Sequence, residues 1–177
     1  TILLTGGAGY IGSHIATVLI DNGYQVLILD DLSNSNEVVF EHIHQISKKK
    51  PSLIQCDIRD RDCLFKIFRE NEINAVIHLA GLKSVAKSSE VPLEYYSVNV
   101  EGTRNLIQTM SKFDCNKLVF SSSATVYGKM SDPPFSEDAP LGPTNPYGRT
   151  KLISEMLILD YVSSNPKFSA VNLRYFN

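Results

Sequence analysis

Cysteine is scarce in this sequence. Cys56, Cys63 and Cys115 are an odd number, and no two of them form a CxxC pair. Such usage excludes a small disulfide framework and predicts three reduced thiols, packed as small hydrophobes, in a cytoplasmic protein. A basic excess is also absent. Seventeen Lys and Arg against nineteen Asp and Glu give a formal net charge of -2, so the positive stripe that neutralises a phosphate backbone is missing and nucleic acid is not an expected partner. The one basic run, Lys48-Lys49-Lys50, follows an amphipathic segment, where cations suit a helix C-terminus and solvent. His42 and His44 diverge around a helix, and no Cys or carboxylate cluster joins His14 or His78 at ligand spacing, so no metal site is predicted. No apolar run approaches the ~20 residues of a membrane span, and no signal-peptide pattern opens the sequence. Repeats and low-complexity stretches are missing as well.

What is present is a chain of 177 residues, 43% of them hydrophobic, enough for one globular domain with a proper core. Short β-branched runs recur at Ile2–Thr5, Gln25–Asp30, Ser52–Cys56, Ala75–Ala80, Lys117–Ser122 and Ser169–Arg174, the profile of strands buried on both faces. Helical periodicity fills the intervals. Tyr10–Asp21 puts Ile11, Ile15, Val18 and Leu19 on one stripe, Arg61–Arg69 does the same with Leu64, Ile67 and Phe68, and Thr103–Met110 and Lys151–Val162 repeat the pattern. Parallel neighbours need helical, right-handed crossovers, so the alternation predicts an α/β fold with a doubly wound parallel sheet, a Rossmann fold. Only Lys129–Asn145, with Pro133, Pro134, Pro140 and Pro143, lacks periodicity. A structureless loop of that length reads as functional.

The first strand runs into Thr5-Gly6-Gly7-Ala8-Gly9-Tyr10-Ile11-Gly12 and then a helix. Glycines there allow a tight turn, close backbone approach to a pyrophosphate and tight helix packing, while the helix N-terminus supplies N–H groups. Asp30 and Asp31 close the second strand, at the spacing where a carboxylate meets ribose hydroxyls. That pair would repel a 2′-phosphate, which selects NAD. Asp57, past the third strand, is within reach of an adenine amino group.

Further along, Tyr147-Gly148-Arg149-Thr150-Lys151 opens a helix with the phenol and ammonium four residues apart on one side. A phenol with an ordinary pKa near ~10 becomes a usable base when positive charge stabilises the phenolate. Ser123, at the end of the fifth strand, is placed to hydrogen-bond a reacting oxygen, with Thr125 as a second donor. No His/Asp set accompanies the serine, which excludes a serine hydrolase.

Together these segments resemble the extended short-chain dehydrogenases and, within them, the UDP-glucose 4-epimerase family. The match lies in TGGAGYIGSH (Thr5–His14), HLAGLK (His78–Lys83), PLEYY (Pro92–Tyr96), SSSATVYG (Ser121–Gly128), NPYGRTK (Asn145–Lys151) and LRYFN (Leu173–Asn177). Related dehydratases carry an Asp-Glu pair where this sequence has Ala124-Thr125. The resemblance implies an isomerase that interconverts UDP-galactose and UDP-glucose through a 4-keto sugar. Tyr147 is its base, Ser123 assists it, and Lys151 also holds the nicotinamide ribose. It further implies cofactor contacts from Gly6, Gly9, Tyr10, Ile11, Gly12, Asp30, Asp57, Ile58, Leu79, Ala80, Lys83, Asn99, Tyr147, Lys151 and Phe176. Substrate contacts are expected from Ser123, Thr125, Tyr147 and Asn177. Leu79 stands where the family often has Phe, and Val98 where it often has Asn. Asn99, read without the resemblance, is an ordinary polar surface residue of a helix.

The resemblance also implies that residues 1–177 form the NAD-binding domain, that a C-terminal substrate region is missing, and that this piece alone is inactive. A homodimer through the Thr103–Met110 and Lys151–Val162 helices fits the same family. An epimerase of UDP-glucuronate or a UDP-N-acetylhexosamine and a non-catalytic NAD-sensing module are the alternative readings, since fold alone does not fix function.

Overall fold

The computed structural model describes residues 1–129 and 133–176. Its elements alternate as β1 (Ile2–Thr5), α1 (Tyr10–Asp21), β2 (Val26–Asp30), α2 (Val38–Ser47), β3 (Ser52–Gln55), α3 (Arg61–Glu70), β4 (Ala75–His78), α4 (Val85–Glu90), α5 (Pro92–Tyr95), α6 (Gly102–Lys112), β5 (Lys117–Ser123), α7 (Pro146–Ser164) and β6 (Ser169–Tyr175). A π-helical segment, Tyr96–Glu101, joins α5 to α6, and a 3-10 turn, Ala124–Val126, follows β5. The strands form one parallel sheet in the order β3-β2-β1-β4-β5-β6. The doubly wound sheet expected from the alternation is therefore the one observed.

Hydrophobicity explains the layering. All five residues of β2 are buried, as a central parallel strand with helices on both faces requires. One core layer sets Leu4 and Ile28 of the sheet against Ala16 and Ile20 of α1 and Phe40 and Ile43 of α2. The opposite layer sets Leu3, Leu29, Val76, Leu118 and Phe120 against Leu64, Phe68, Leu106, Met110 and Ile158 of α3, α6 and α7. At roughly 1.5–3 kcal/mol for each fully buried large side chain, these two layers are the main favourable contribution to the fold. After β3 the chain crosses β2 and β1 to lay down β4, which leaves a crevice at the carboxyl ends of β1 and β4.

Two sequence expectations are corrected here. The buried stripe of α1 is Gly12, Ala16 and Ile20, while Ile11 and Val18 are exposed. Small residues face inward because this helix packs closely on the turn before it. Cys56 and Cys63 are joined as a disulfide, their Cα atoms 6.6 Å apart. A turn closed by Asp60 N–H to the Asp57 carbonyl, 2.9 Å, folds the seven-residue span back on itself. Cys115 stays a buried thiol, and burial pushes its pKa up. Among the described residues no helix is long and apolar enough to cross a membrane.

Candidate active site

The glycine turn is shaped by contacts that no side chain could share. Gly6 has φ +68°, and a Cβ there would lie 2.6 Å from the backbone nitrogen of Ala80. A Cβ on Gly12 would lie 2.6 Å from the Gly6 carbonyl oxygen. Turn, α1 and the loop after β4 are thereby nested at the crevice. No side chain caps the first turn of α1 at Gly9, whereas Asp60, Ser84 and Asn145 each cap theirs. The amide groups that begin α1 are thus left for an anion. Tyr10 and Ile11 are exposed beside them.

Asp30 closes β2 with its carboxylate turned back on the glycine turn. It accepts from Ala8 N–H at 2.9 Å, Leu32 N–H at 3.0 Å and Ser35 Oγ at 3.0 Å. Asp31 is exposed and accepts from Ser33. Asp57 is gripped by Arg59, whose closest contact is 2.6 Å, and hydrogen bonding to that guanidinium holds its carboxyl below the usual range. Ile58 is buried, and Gly102 admits it, since a Cβ there would lie 2.6 Å from Ile58 Cγ2. Leu79 donates its N–H to the Thr5 carbonyl at 2.9 Å, and Ala80 donates to Thr5 Oγ1 at 3.4 Å. Lys83 is exposed. Phe176 is grouped with Tyr127 and Phe135 at ring separations of 6.1 and 6.2 Å. Asn177 lies outside the described residues.

Asn99 departs from its reading as a polar surface residue. It is 3% exposed on the π-helical segment and clasps Leu82, accepting its N–H at 2.8 Å and donating to its carbonyl at 3.0 Å. A further bond reaches Thr150 Oγ1 at 2.9 Å. A π turn rotates one extra residue into the helix interior, and such turns recur at functional sites.

The proton-transfer candidates meet at the end of β5. Asn145 caps α7 by accepting from Gly148 N–H at 2.8 Å, behind Pro146 in the first turn. Gly148 lets this helix start dock, because a Cβ there would come 2.9 Å from the Thr125 carbonyl. Tyr147 is half-buried. Burial raises its pKa, the Ser123 hydroxyl draws it down, and Tyr95 raises it again. Ser123 Oγ accepts from Thr125 N–H at 3.2 Å and from its hydroxyl at 3.0 Å. Lys151 is 5% exposed, donates to the Ser121 carbonyl at 2.8 Å, and sits 4.9 Å over the Phe120 ring and 6.0 Å over that of Tyr147. Burial lowers its pKa to about 8, against a smaller opposing pull from Glu155. Ser123, Tyr147 and Lys151 thus share the carboxyl edge of the sheet with the glycine turn.

Residues 3–177 match the family described as GDP-mannose 4,6 dehydratase. The chain belongs to that family. A UDP-glucose 4-epimerase of Bacillus subtilis (strain 168) is 48% identical over 176 residues, covering 99% of this chain and 52% of the relative. The UDP-glucose 4-epimerase of Stenotrophomonas maltophila, crystallised with NAD and formylated UDP-arabinopyranose, has a TM-score of 0.97 at 44% identity, over 100% of this chain and 53% of that one. That of Bifidobacterium longum, in complex with NAD+ and UDP, has a TM-score of 0.97 at 42% identity, over 99% and 53%. The chain spans about half the length of these relatives.

Within this family member, sequence reasoning passed over Glu155, Gly148 and His78. Glu155 was open to discovery, lying four residues past Lys151 on the same helix face. His78 was not, because its partners come from elsewhere in the chain. Its Nδ1 meets Thr5 Oγ1 at 2.6 Å and its Nε2 meets Thr103 Oγ1 at 2.9 Å. Thr103 spends its own proton on the Asn99 carbonyl at 2.6 Å. Nε2 is therefore the protonated nitrogen and Nδ1 the acceptor. Burial, with Lys151 adding to it, lowers the imidazole pKa to about 3, so the ring is neutral.

Proposed function

We propose that the protein carrying this chain is an NAD-dependent UDP-glucose 4-epimerase, converting UDP-galactose and UDP-glucose through a 4-keto sugar, and that residues 1–177 are its NAD-binding domain. The convergence of Ser123, Tyr147 and Lys151 at the sheet edge that carries the glycine turn is the observation on which this reading rests. The cradle suits a dinucleotide: Gly6 and Gly12 leave backbone space that a Cβ would fill, and the uncapped start of α1 offers amides to a pyrophosphate. Asp30 and Asp57 with Ile58 would face the adenosine half, and Leu79, Ala80, Lys83 and Asn99 the loop beneath it. Bound there, NAD would supply hydride acceptance and return at sugar C4.

The chain's own part is proton transfer and orientation. Tyr147 takes the 4-hydroxyl proton while Ser123 and Thr125 hold the oxygen, and Lys151 supplies positive charge on the phenol's side. Because burial raises the phenol, added positive charge is what makes it a base near neutrality. Ala124-Thr125 after Ser123 provides no carboxyl group to expel water, which favours epimerisation over dehydration within this family. A UDP-sugar partner, a homodimer, a cytoplasmic location and independence of nucleic acid and membrane belong to the same proposal. The formylated UDP-arabinopyranose of the Stenotrophomonas relative keeps other UDP-sugars as the alternative substrates.

The test uses the full-length protein loaded with NAD, UDP-galactose as substrate, and a coupled assay for UDP-glucose. Turnover that falls by on the order of a thousandfold or more in Tyr147→Phe is the expected result, the magnitude typical of a lost general base. Absence of conversion in folded, NAD-loaded wild type would overturn the assignment for this sugar.

A further inference from the structure

Behind the proton-transfer candidates lies a buried ionic cluster to which the proposed reaction gives no role. Glu155, one helical turn past Lys151 on α7, is 5% exposed. Arg174 of β6 holds its carboxylate by two bonds, Nε to Oε1 at 3.1 Å and Nη2 to Oε2 at 2.7 Å. The remaining amine of Arg174 reaches the Tyr127 phenol at 2.9 Å and the Glu137 carbonyl at 3.2 Å. Glu155 Oε1 also accepts from the Ser122 hydroxyl. Ser122 stands between Ser121, whose carbonyl receives Lys151 Nζ at 2.8 Å, and Ser123. Lys151 and Glu155 therefore grip consecutive residues of β5 from consecutive turns of α7.

A buried ammonium is costly without a counter-charge. The atoms recorded around Lys151 Nζ are a neutral carbonyl and two aromatic faces. Titratable groups on the packed elements are the neutral His78 of β4, Tyr95 of α5, Tyr147 and Glu155 of α7, and Arg174 of β6, which is already committed to Glu155. Lys87 and Glu90 of α4 and Glu101 of the π segment face solvent. Glu155 is thus the buried anion of this neighbourhood.

We propose that Glu155 is a positioning residue for the proton-transfer pair: its carboxylate, oriented by Arg174, places buried negative charge one helical turn from the Lys151 ammonium and, through Ser122, fixes the strand end that carries Ser121 and Ser123. This rests on the reading of Tyr147 and Lys151 given above. Arg174 orients the carboxylate and keeps it in place, so the three ionic groups act as a series from β6 to the reacting edge.

Glu155→Gln keeps an acceptor for Ser122 and removes the charge, leaving Arg174 unbalanced beside Lys151. In the full-length NAD-loaded protein, the Lys151 titration is followed by lysine-Cε carbon-13 NMR, with the signal assigned by Lys151→Met. Its midpoint should drop by about one pH unit or more, and the alkaline limb of the kcat profile should move down with it, while KM changes little. Glu155→Asp should recover most of the midpoint. A purely structural role would lower the melting temperature and scale activity evenly at all pH values. If Glu155→Gln does not fold, the Glu155→Gln/Arg174→Met pair removes both charges, as buried pairs often tolerate, and should still lower the midpoint. An unmoved midpoint and limb in either folded variant would overturn the proposal. The NMR titration needs no turnover, so failure of the epimerase assignment would show separately, in the wild-type assay.

Discussion

At the residue scale the site is a compromise between charge and burial, and Lys151 carries most of it. Its folded pKa, about 8 against an ordinary 10.5, lies below that of the unfolded chain. Between those values the unfolded state holds more protons, so wild-type stability rises with pH through that window, and the cost of the buried ammonium is fully present below it. Lys151→Met should therefore abolish turnover yet raise stability at pH 7 by about 1–3 kcal/mol, after allowing for the Ser121 carbonyl left without its donor. Urea unfolding of the two proteins at pH 7 and pH 10 checks this, and a variant less stable than wild type would contradict it. Tyr147 and Lys151 were legible as a pair because four residues on a helix face is a local relation. The bond from Lys151 to Ser121, thirty residues away, was not.

At the element scale the controlling feature is how closely α1 approaches the turn before it. The three nearest contacts of a Cβ on Gly12 are all backbone atoms, the Gly6 carbonyl oxygen and Gly7 Cα at 2.6 Å and the Gly7 carbonyl carbon at 2.8 Å, so nothing flexible can yield. Gly12→Ala should push α1 away from β1 and weaken NAD binding by on the order of a hundredfold, ~3 kcal/mol. Calorimetric titration of the full-length protein with NAD would measure it, and unchanged affinity would remove the turn from the cofactor site. The same close approach explains why the hydrophobic stripe read for α1 was displaced: the periodicity was correct, but a glycine was the residue that had to face inward. The π-helical segment was beyond periodicity altogether. An extra residue shifts the phase of the helix, so a regular 3.6-residue count across it fails, and Asn99 lies buried within that segment.

At the scale of the whole molecule, His78 ties the two halves of the sheet together where strand order reverses, linking β1 through Thr5 to α6 through Thr103. Its pKa falls from 6.5 unfolded to about 3 folded, so the folded state refuses a proton that the unfolded chain accepts. Stability from this group is complete above pH 6.5 and is lost as pH falls toward 3, a change of about 5 kcal/mol at most. Denaturant unfolding across that range should show the decline, and His78→Gln should flatten it; equal slopes would show that other groups govern acid lability. The sequence by itself determined the alternation of strands and helices, the glycine turn and the Tyr147–Lys151 spacing, because each follows from local periodicity or from relations within a turn or two of chain. Tertiary structure alone decided the disulfide between Cys56 and Cys63, the inward turn of Asn99, the tautomer of His78 and the Glu155–Arg174 pair behind Lys151. Those depend on which distant segments the parallel sheet brings side by side, and burial then sets their charge and hydrogen bonding.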